Sequence, residues 1–259
     1  MNENGISVVM PVLGKHKFTK NFFESFLGTH PIETLKFEFI VVNNGQDTET
    51  KEILTHYKNI IGEDRFILIE NEENVGVCKS WNQGVKQSQY PYVCIVNNDI
   101  QFMSANVLQE LQNNLKKNKN IYWTSPATCY SKDLKKRVIR PHHFEQLVYA
   151  PQSMGYVVGC CFMIPKKCFD EVGLFDEGFD MRYYEDLDYI NRILQAHKQI
   201  RLTETALVYH AVGITSRTVE GGENNEALYN EKWGNTRFNI LKMQGPSIKA
   251  AKHFPAKTG

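Results

Sequence analysis

The chain has 259 residues, of which 42% are hydrophobic, enough for one large domain with a sizeable core. Its formal net charge is +1, so it carries no global field of the kind that gathers nucleic acid or an acidic partner. The longest uninterrupted apolar stretch, around Tyr156–Ile164, is far short of the roughly 20 residues a bilayer-spanning helix needs, which leaves at most peripheral membrane contact.

Met1-Asn2-Glu3-Asn4 leads directly into Ile6–Met10, an apolar run that predicts a strand ended by Pro11, with no secretory leader pattern before it. A helix is expected around Thr19–Leu27, then a second strand over Phe37–Val42 ended by Asn43-Asn44-Gly45. Asp47 is a plausible N-cap for a helix running to Ile60. Arg65–Glu70 reads as the third strand. Gly76–Lys86 reads as the next helix, with Val77, Trp81 and Val85 at helical spacing.

Tyr92–Val96 is short and continuously apolar, as a strand buried on both faces should be, and it stops at Asn97-Asn98-Asp99. This alternation predicts right-handed βαβ units and a mostly parallel, doubly wound sheet. A helix over Ser104–Lys117 and strands over Ile121–Ser125 and Tyr156–Ile164 follow. Between those strands, Thr128–Pro151 is polar, basic and too long for an ordinary connection, which suggests a functional loop or lid. A helix from Glu185 carries Leu187, Ile190 and Leu194 on one face. Ala206–His210 is a late strand, and a helix to about Leu241 forms a C-terminal cap before a basic tail with Lys242, Lys249, Lys252 and Lys257.

The six cysteines, Cys78, Cys94, Cys129, Cys160, Cys161 and Cys168, form no CxxC pair and several lie in apolar runs, so reduced thiols and a cytoplasmic location are expected. The tryptophans Trp81, Trp123 and Trp233 are expected in the core rather than as sugar platforms.

Ligand-binding groups of a parallel sheet gather at the carboxyl ends of its strands. Here those ends carry Pro11-Val12-Leu13-Gly14 with Lys15-His16-Lys17, then Asn43-Asn44-Gly45, Asn71–Gly76 and Asn97-Asn98-Asp99. Each alone is ordinary turn chemistry. Downstream, Gly173-Leu174-Phe175-Asp176-Glu177 precedes Glu185-Asp186-Leu187-Asp188, carboxylates that would also simply complement a helix macrodipole.

In this order the residues resemble the inverting nucleotide-sugar glycosyltransferases of the GT-A fold, family 2-like, in the bacterial branch of rhamnosyltransferases and cell-surface polysaccharide enzymes. The resemblance covers roughly residues 5 to 240. It is most specific from Gly159–Ile164 through Gly173–Glu177 and Glu185–Asp188 to Val208-Tyr209-His210, with Asn74-Val75-Gly76, Asn82-Gln83-Gly84 and Lys232-Trp233-Gly234 in support.

The resemblance implies a Rossmann-like, doubly wound mixed sheet with a small antiparallel flap and a helical C-terminal cap, all in one domain over residues 1–259. Within it, 5–125 would form the nucleotide-sugar-binding half, 126–220 the acceptor and catalytic half, and 221–259 the cap and tail. Pro11, Val12, Asn43 and Asn44 would line the nucleoside pocket, with Asn43 or Asn44 reading the base. Asn74, Gly76, Asn82, Asn97, Asn98 and Gly159 would belong to the donor site, and Arg217 would reach its diphosphate. Asp99, and His210 with it, would hold a divalent cation, Mn²⁺ or Mg²⁺. Asp186 in the Glu185-Asp186 pair would be the catalytic base.

The chemistry needs these types. A hard cation neutralises charge building on a departing nucleoside diphosphate, and a positioned carboxylate takes the proton of an attacking hydroxyl. The acceptor would be a glycan, polysaccharide or lipid-linked hydroxyl. Asn97 and Asn43 stand where aspartate is common in the family. They motivate a second reading, a nucleotide-sugar- or glycan-binding module that has lost turnover. A nucleotidyltransferase would want a longer glycine- and arginine-rich phosphate loop than Gly14-Lys15-His16-Lys17.

Overall fold

The computed structural model describes residues 4–129, 159–211, 214 and 219–234. Eight strands there form one sheet in the order β3-β2-β1-β4-β7-β6-β8-β5. They are β1 (Ile6–Val12), β2 (Phe37–Asn43), β3 (Phe66–Glu70), β4 (Tyr92–Val96), β5 (Ile100–Phe102), β6 (Ile121–Cys129), β7 (Cys161–Pro165) and β8 (Gln199–His210). The helices are α1 (His16–Thr29), α2 (Thr48–Ile61), α3 (Val77–Gln87), α4 (Val107–Lys117), α5 (Lys167–Val172), α6 (Glu185–Gln195) and α7 (Asn225–Trp233).

β1 pairs in parallel with both β2 and β4, and β2 in parallel with β3. The chain therefore winds outward from β1 to β3 and then restarts on the other side at β4, so a topological switch lies between β1 and β4. A crevice opens there, outside the carboxyl ends of the strands. β7 then inserts antiparallel to β4, with Val96 opposite Cys161. β8 runs parallel to β6 and pairs antiparallel with the short β5, setting His210 opposite Ile100.

Pro11 does not end the first strand, as the sequence suggested. The β4 ladder on that strand stops at Val9, so Pro11 lies where β1 keeps only β2 as a partner and a missing N–H is tolerated. Asp47 caps α2 as expected, its Oδ1 accepting from the Thr50 N–H at 2.8 Å.

Helices cover both faces. On one, Phe22, Phe23 and Phe26 of α1 meet Phe37 and Phe39 of β2, with α2 and α4 beside them. On the other, Trp81 of α3 and Phe175 pack on Phe162, whose ring stacks on Trp123 at 3.6 Å between centroids, and α5, α6 and α7 complete the layer. All three tryptophans are buried, as expected of core residues. So are all six cysteines, none of them in a disulfide among the described residues. No helix among the described residues is long and apolar enough to cross a membrane.

Candidate functional site

Three strand ends converge beside the switch point. Asp99 follows β4. The antiparallel pairing of β7 returns Gly159 and Cys160 to the same level, where the Cys160 carbonyl accepts from the Asn97 N–H at 2.8 Å. β8 arrives at His210, and the Ala211 N–H donates to the Asp99 carbonyl at 3.1 Å. His210 Nε2 thereby lies 3.2 Å from Asp99 Oδ1, both side chains largely buried.

That distance is one of an ion pair, but Asp99 Oδ1 has no aligned hydrogen bond and is closed off from solvent. Burial alone would lower the His210 imidazolium. Its contacts with Cys160 and Asp99 outweigh that and push it up to about 10. A divalent cation could take both the Asp99 oxygen and the His210 nitrogen only by displacing the proton that this pairing holds on the imidazole. No group of three or more His, Cys, Asp or Glu side chains that could hold a metal occurs among the described residues. A cation at this pair would complete its shell with substrate phosphate and water, as Mg²⁺ sites commonly do.

Glu185, Asp186 and Asp188 fill the first turn of α6. Asp186 Oδ1 accepts from the Leu187 N–H at 2.8 Å, and its other oxygen lies directly against Gly159. A Cβ on Gly159 would stand 2.1 Å from Asp186 Oδ2, so only glycine allows β7 to start this close to the α6 carboxylate. Sequence reasoning placed Gly159 in the donor site, and the structure brings it against Asp186. Burial raises the pKa of both carboxyls, and the charge of Asp186 raises Glu185 further. Glu185 is only partly covered, but its Oε2 is enclosed and has no hydrogen-bond partner.

The asparagines at the other strand ends divide into two kinds. Asn43 is fully buried. Its Oδ1 accepts from the Gly45 N–H at 3.1 Å while its Nδ2 has no partner. Asn44 is engaged within the protein, donating to Ser80 Oγ at 2.7 Å and accepting from Asn71 Nδ2 at 2.8 Å. Asn82 is likewise engaged, by the Phe175 backbone and by Glu177. Asn98 donates to Thr19 Oγ1 at 3.0 Å. Asn74 accepts from the Gly76 N–H and donates toward Met181 Sδ, and Gly76, at φ +82°, packs on the Met181 backbone. Val12 is buried and Pro11 half-buried at the end of β1. His16, in the turn after the first strand, pairs with Glu49 at 2.8 Å. Arg217, His142-His143, most of the expected lid and the basic tail lie outside the described residues.

Two residues hold this region, Asp188, which the sequence offered only as one of three carboxylates at a helix start, and Asn225, to which it gave no role. Asp188, fully buried, receives Arg192 Nε at 3.0 Å, Lys232 Nζ at 2.8 Å and Trp233 Nε1 at 2.8 Å. Asn225, at the start of α7, binds the backbone just before α6.

The mixed sheet thus has a switch point, an Asp–His pair at one strand end, and a carboxyl pair at the start of α6 whose Asp186 lies against Gly159. Glycosyl transferase family 2 matches residues 7–173, and the chain belongs to that family. The family is one of glycosyltransferases. Among relatives, an uncharacterised glycosyltransferase of Rickettsia typhi is 24% identical over 96% of this chain and 76% of its own length. Human polypeptide N-acetylgalactosaminyltransferase 18 is 20% identical over 70% of this chain and 33% of its own.

Among solved structures, GalNAc-T7 with UDP, GalNAc and Mn²⁺ superposes with a TM-score of 0.68 at 15% identity, covering 92% of this chain and 50% of that one. The mannosyltransferase PcManGT of Pyrobaculum calidifontis, in complex with GDP-Man and Mn²⁺, gives 0.63 at 14% identity over 96% of this chain and 67% of that one. This chain thus spans half the length of the GalNAc-T7 structure. At these identities the likeness is one of fold, and the open mixed sheet with helices on both faces is the GT-A architecture.

Proposed function

We propose that the chain is a metal-dependent, inverting glycosyltransferase that moves a sugar from a nucleoside-diphosphate sugar to a hydroxyl of a glycan, polysaccharide or lipid-linked acceptor. The observation that carries this is the buried Asp186 carboxylate against Gly159, at the strand ends that also carry the Asp99–His210 pair. Asp186 is the base. It takes the proton of the acceptor hydroxyl as that oxygen bonds to the anomeric carbon, and the bond to the diphosphate breaks on the opposite face, inverting the centre. Burial raises both carboxyls, and charge on Asp186 holds Glu185 back from ionising, so the pair favours a single shared negative charge.

Asp99 and His210 would hold a divalent cation. Bound there, Mn²⁺ or Mg²⁺ supplies positive charge to the leaving diphosphate. The Mn²⁺ bound in GalNAc-T7 and in PcManGT supports this reading. Residues 5–125 would form the donor half and 126–220 the acceptor half, with the remainder as cap and tail. Pro11 and Val12 line the nucleoside pocket. Asn43 or Asn44 reads the base: the Asn43 Nδ2 lacks a partner but is enclosed, and the Asn44 amide is engaged by Ser80 and Asn71. Asn74, Gly76 and Asn82 shape the donor side through their contacts with Met181, Phe175 and Glu177. Buried, free thiols suit a reducing, cytoplasmic setting.

The test is a donor panel of uridine, thymidine, guanosine and cytidine diphosphate sugars with Mn²⁺, Mg²⁺ or EDTA, following slow nucleotide release. The thymidine donors are included for the resemblance to rhamnosyltransferases. Release from one donor, abolished by EDTA and by Asp99→Ala, is the expected result. Release unchanged in both would overturn the metal assignment. Tight donor binding with no release under any metal or acceptor would favour the binding module that Asn97 suggests.

A further inference from the structure

We infer that Asn225 is a positioning residue for the reaction: from α7, its side chain holds the backbone of residues 180–184 in the conformation that aims Glu185 and Asp186 into the site. The inference rests on the assignment of Asp186 as base. Three of the four residues before α6, namely Met181, Tyr183 and Tyr184, have φ of +47°, +72° and +73°. None is glycine, and bulky side chains disfavour that region, so the segment does not adopt this shape by itself. Such strain persists only where surrounding contacts over-determine it.

Asn225 supplies those contacts. Its Nδ2 donates to the carbonyls of Asp180 at 2.6 Å, Arg182 at 2.7 Å and Tyr183 at 3.2 Å, and its Oδ1 accepts from the Asp180 N–H at 3.0 Å. With two hydrogens for three acceptors, one donation is shared, and reversing the amide would set Oδ1 against the carbonyls. The side chain is 2% exposed, so water does not substitute for it. The approach is made possible by Gly221 and Gly222, where a Cβ would stand 2.7 Å from Met181 Cγ and 2.7 Å from the Arg182 carbonyl. On its other side the segment is met by α3, whose Val77 N–H donates to the Met181 carbonyl at 3.2 Å.

The far end of α7 fastens to the same target. Lys232 and Trp233 bind the Asp188 carboxylate, two residues beyond Asp186. The helix thus grips the catalytic turn before and after the carboxyl pair, and Asn225 supplies four hydrogen bonds to the strained backbone.

The test uses Asn225→Asp, which keeps the shape and the acceptor but removes every donated hydrogen bond, in the full chain with its turned-over donor. The expected result is a fall in kcat of about 10²-fold with donor KM within about twofold, as for a base displaced by an ångström. Tyr183→Gly in that background relieves one strained position, at a side chain that is 52% exposed, and should recover part of the lost kcat.

A kcat within about threefold of wild type, or a loss of folded protein that Tyr183→Gly does not repair, would overturn the inference. If Asn225→Asp does not accumulate, Asn225→Ala is read by the same criteria. Amide hydrogen exchange supplies a reading that needs no turnover: the amides of residues 180–184 should exchange faster in the variant. An inactive wild type with that acceleration would sink the assignment of Asp186 as base and spare the holding role of Asn225. Unchanged exchange would sink the role itself.

Discussion

Replacing Gly159 by alanine adds one methyl group at the closest approach between β7 and α6. The new Cβ would stand 2.1 Å from Asp186 Oδ2, 2.8 Å from its Cγ and 2.9 Å from its Cβ. Rotating the carboxylate does not relieve the last two contacts, and Oδ1 is tied to the Leu187 N–H. Ordinary contact begins near 3.4 Å, so the start of β7 or of α6 must yield by about 1.3 Å.

A misplacement of that size costs about 10²-fold in rate, equivalent to about 2.7 kcal/mol of transition-state stabilisation. Overpacking should lower stability by about 1–3 kcal/mol as well. Stopped nucleotide-release assays should therefore show Gly159→Ala with depressed kcat and nearly unchanged nucleotide affinity, because Asp186 does not touch the base or ribose in the proposed roles. Gly28→Ala in α1, where a Cβ meets nothing within 4 Å, is the control, expected to leave turnover intact and to stabilise by about 0.5–1 kcal/mol. Wild-type kcat in Gly159→Ala would refute the reasoning, since the contact would then be irrelevant to where the base stands.

Three further outcomes follow from the site and the core. Burial raises both carboxyls of the interacting pair, so kcat/KM should rise with pH through a step well above the ordinary aspartate range; in Glu185→Gln a single step should remain, and an acid limb near the ordinary aspartate value would count against Asp186 as a buried base. Asn43→Asp turns an unpaired donor into an acceptor, so calorimetric titration with UDP and CDP should show the affinity ratio moving about tenfold toward the base with an N–H at that edge; an unmoved ratio would take Asn43 out of the base pocket. His30, buried under α4 with its Nε2 accepting from the Leu108 N–H, is held at about 4 by burial against 6.5 when unfolded, so its contribution is complete above pH 6.5 and is lost as pH falls toward 4; urea titrations should record a loss of about 3 kcal/mol over that window, flattened in His30→Gln.

Much of the fold was legible because the central strands are buried on both faces. Phe37–Val42 and Tyr92–Val96 are continuous apolar runs bounded by turn residues, and the structure places strands there within a residue. β5 and α5 were not legible. Residues Ile100–Phe102 are too few to show a period of two, and Lys167–Val172 is under two turns of helix. The first half of β8 is polar, and its pairing to β6 is a matter of tertiary context.

The site residues were legible by type and position, but not by their bonding. Nothing in Asn43-Asn44 says which amide is already satisfied, because Ser80, Asn71 and Gln83 decide it from elsewhere in the chain. Asn225 left no signal at all, since its partners are backbone carbonyls about forty residues away and carry no side-chain signature.

The return of β8 has a consequence for synthesis on the ribosome. Asp99 and Asn97 emerge early, but their partners come from Cys160 and from His210 to Ala211, more than half the described sheet later. A nascent chain can therefore close the parallel β3-β2-β1-β4 block while the crevice beside it is still a bare edge, able to capture neither cation nor diphosphate firmly. The Asp99–His210 contact therefore forms only when the strand ending at His210 docks, late in the order of synthesis.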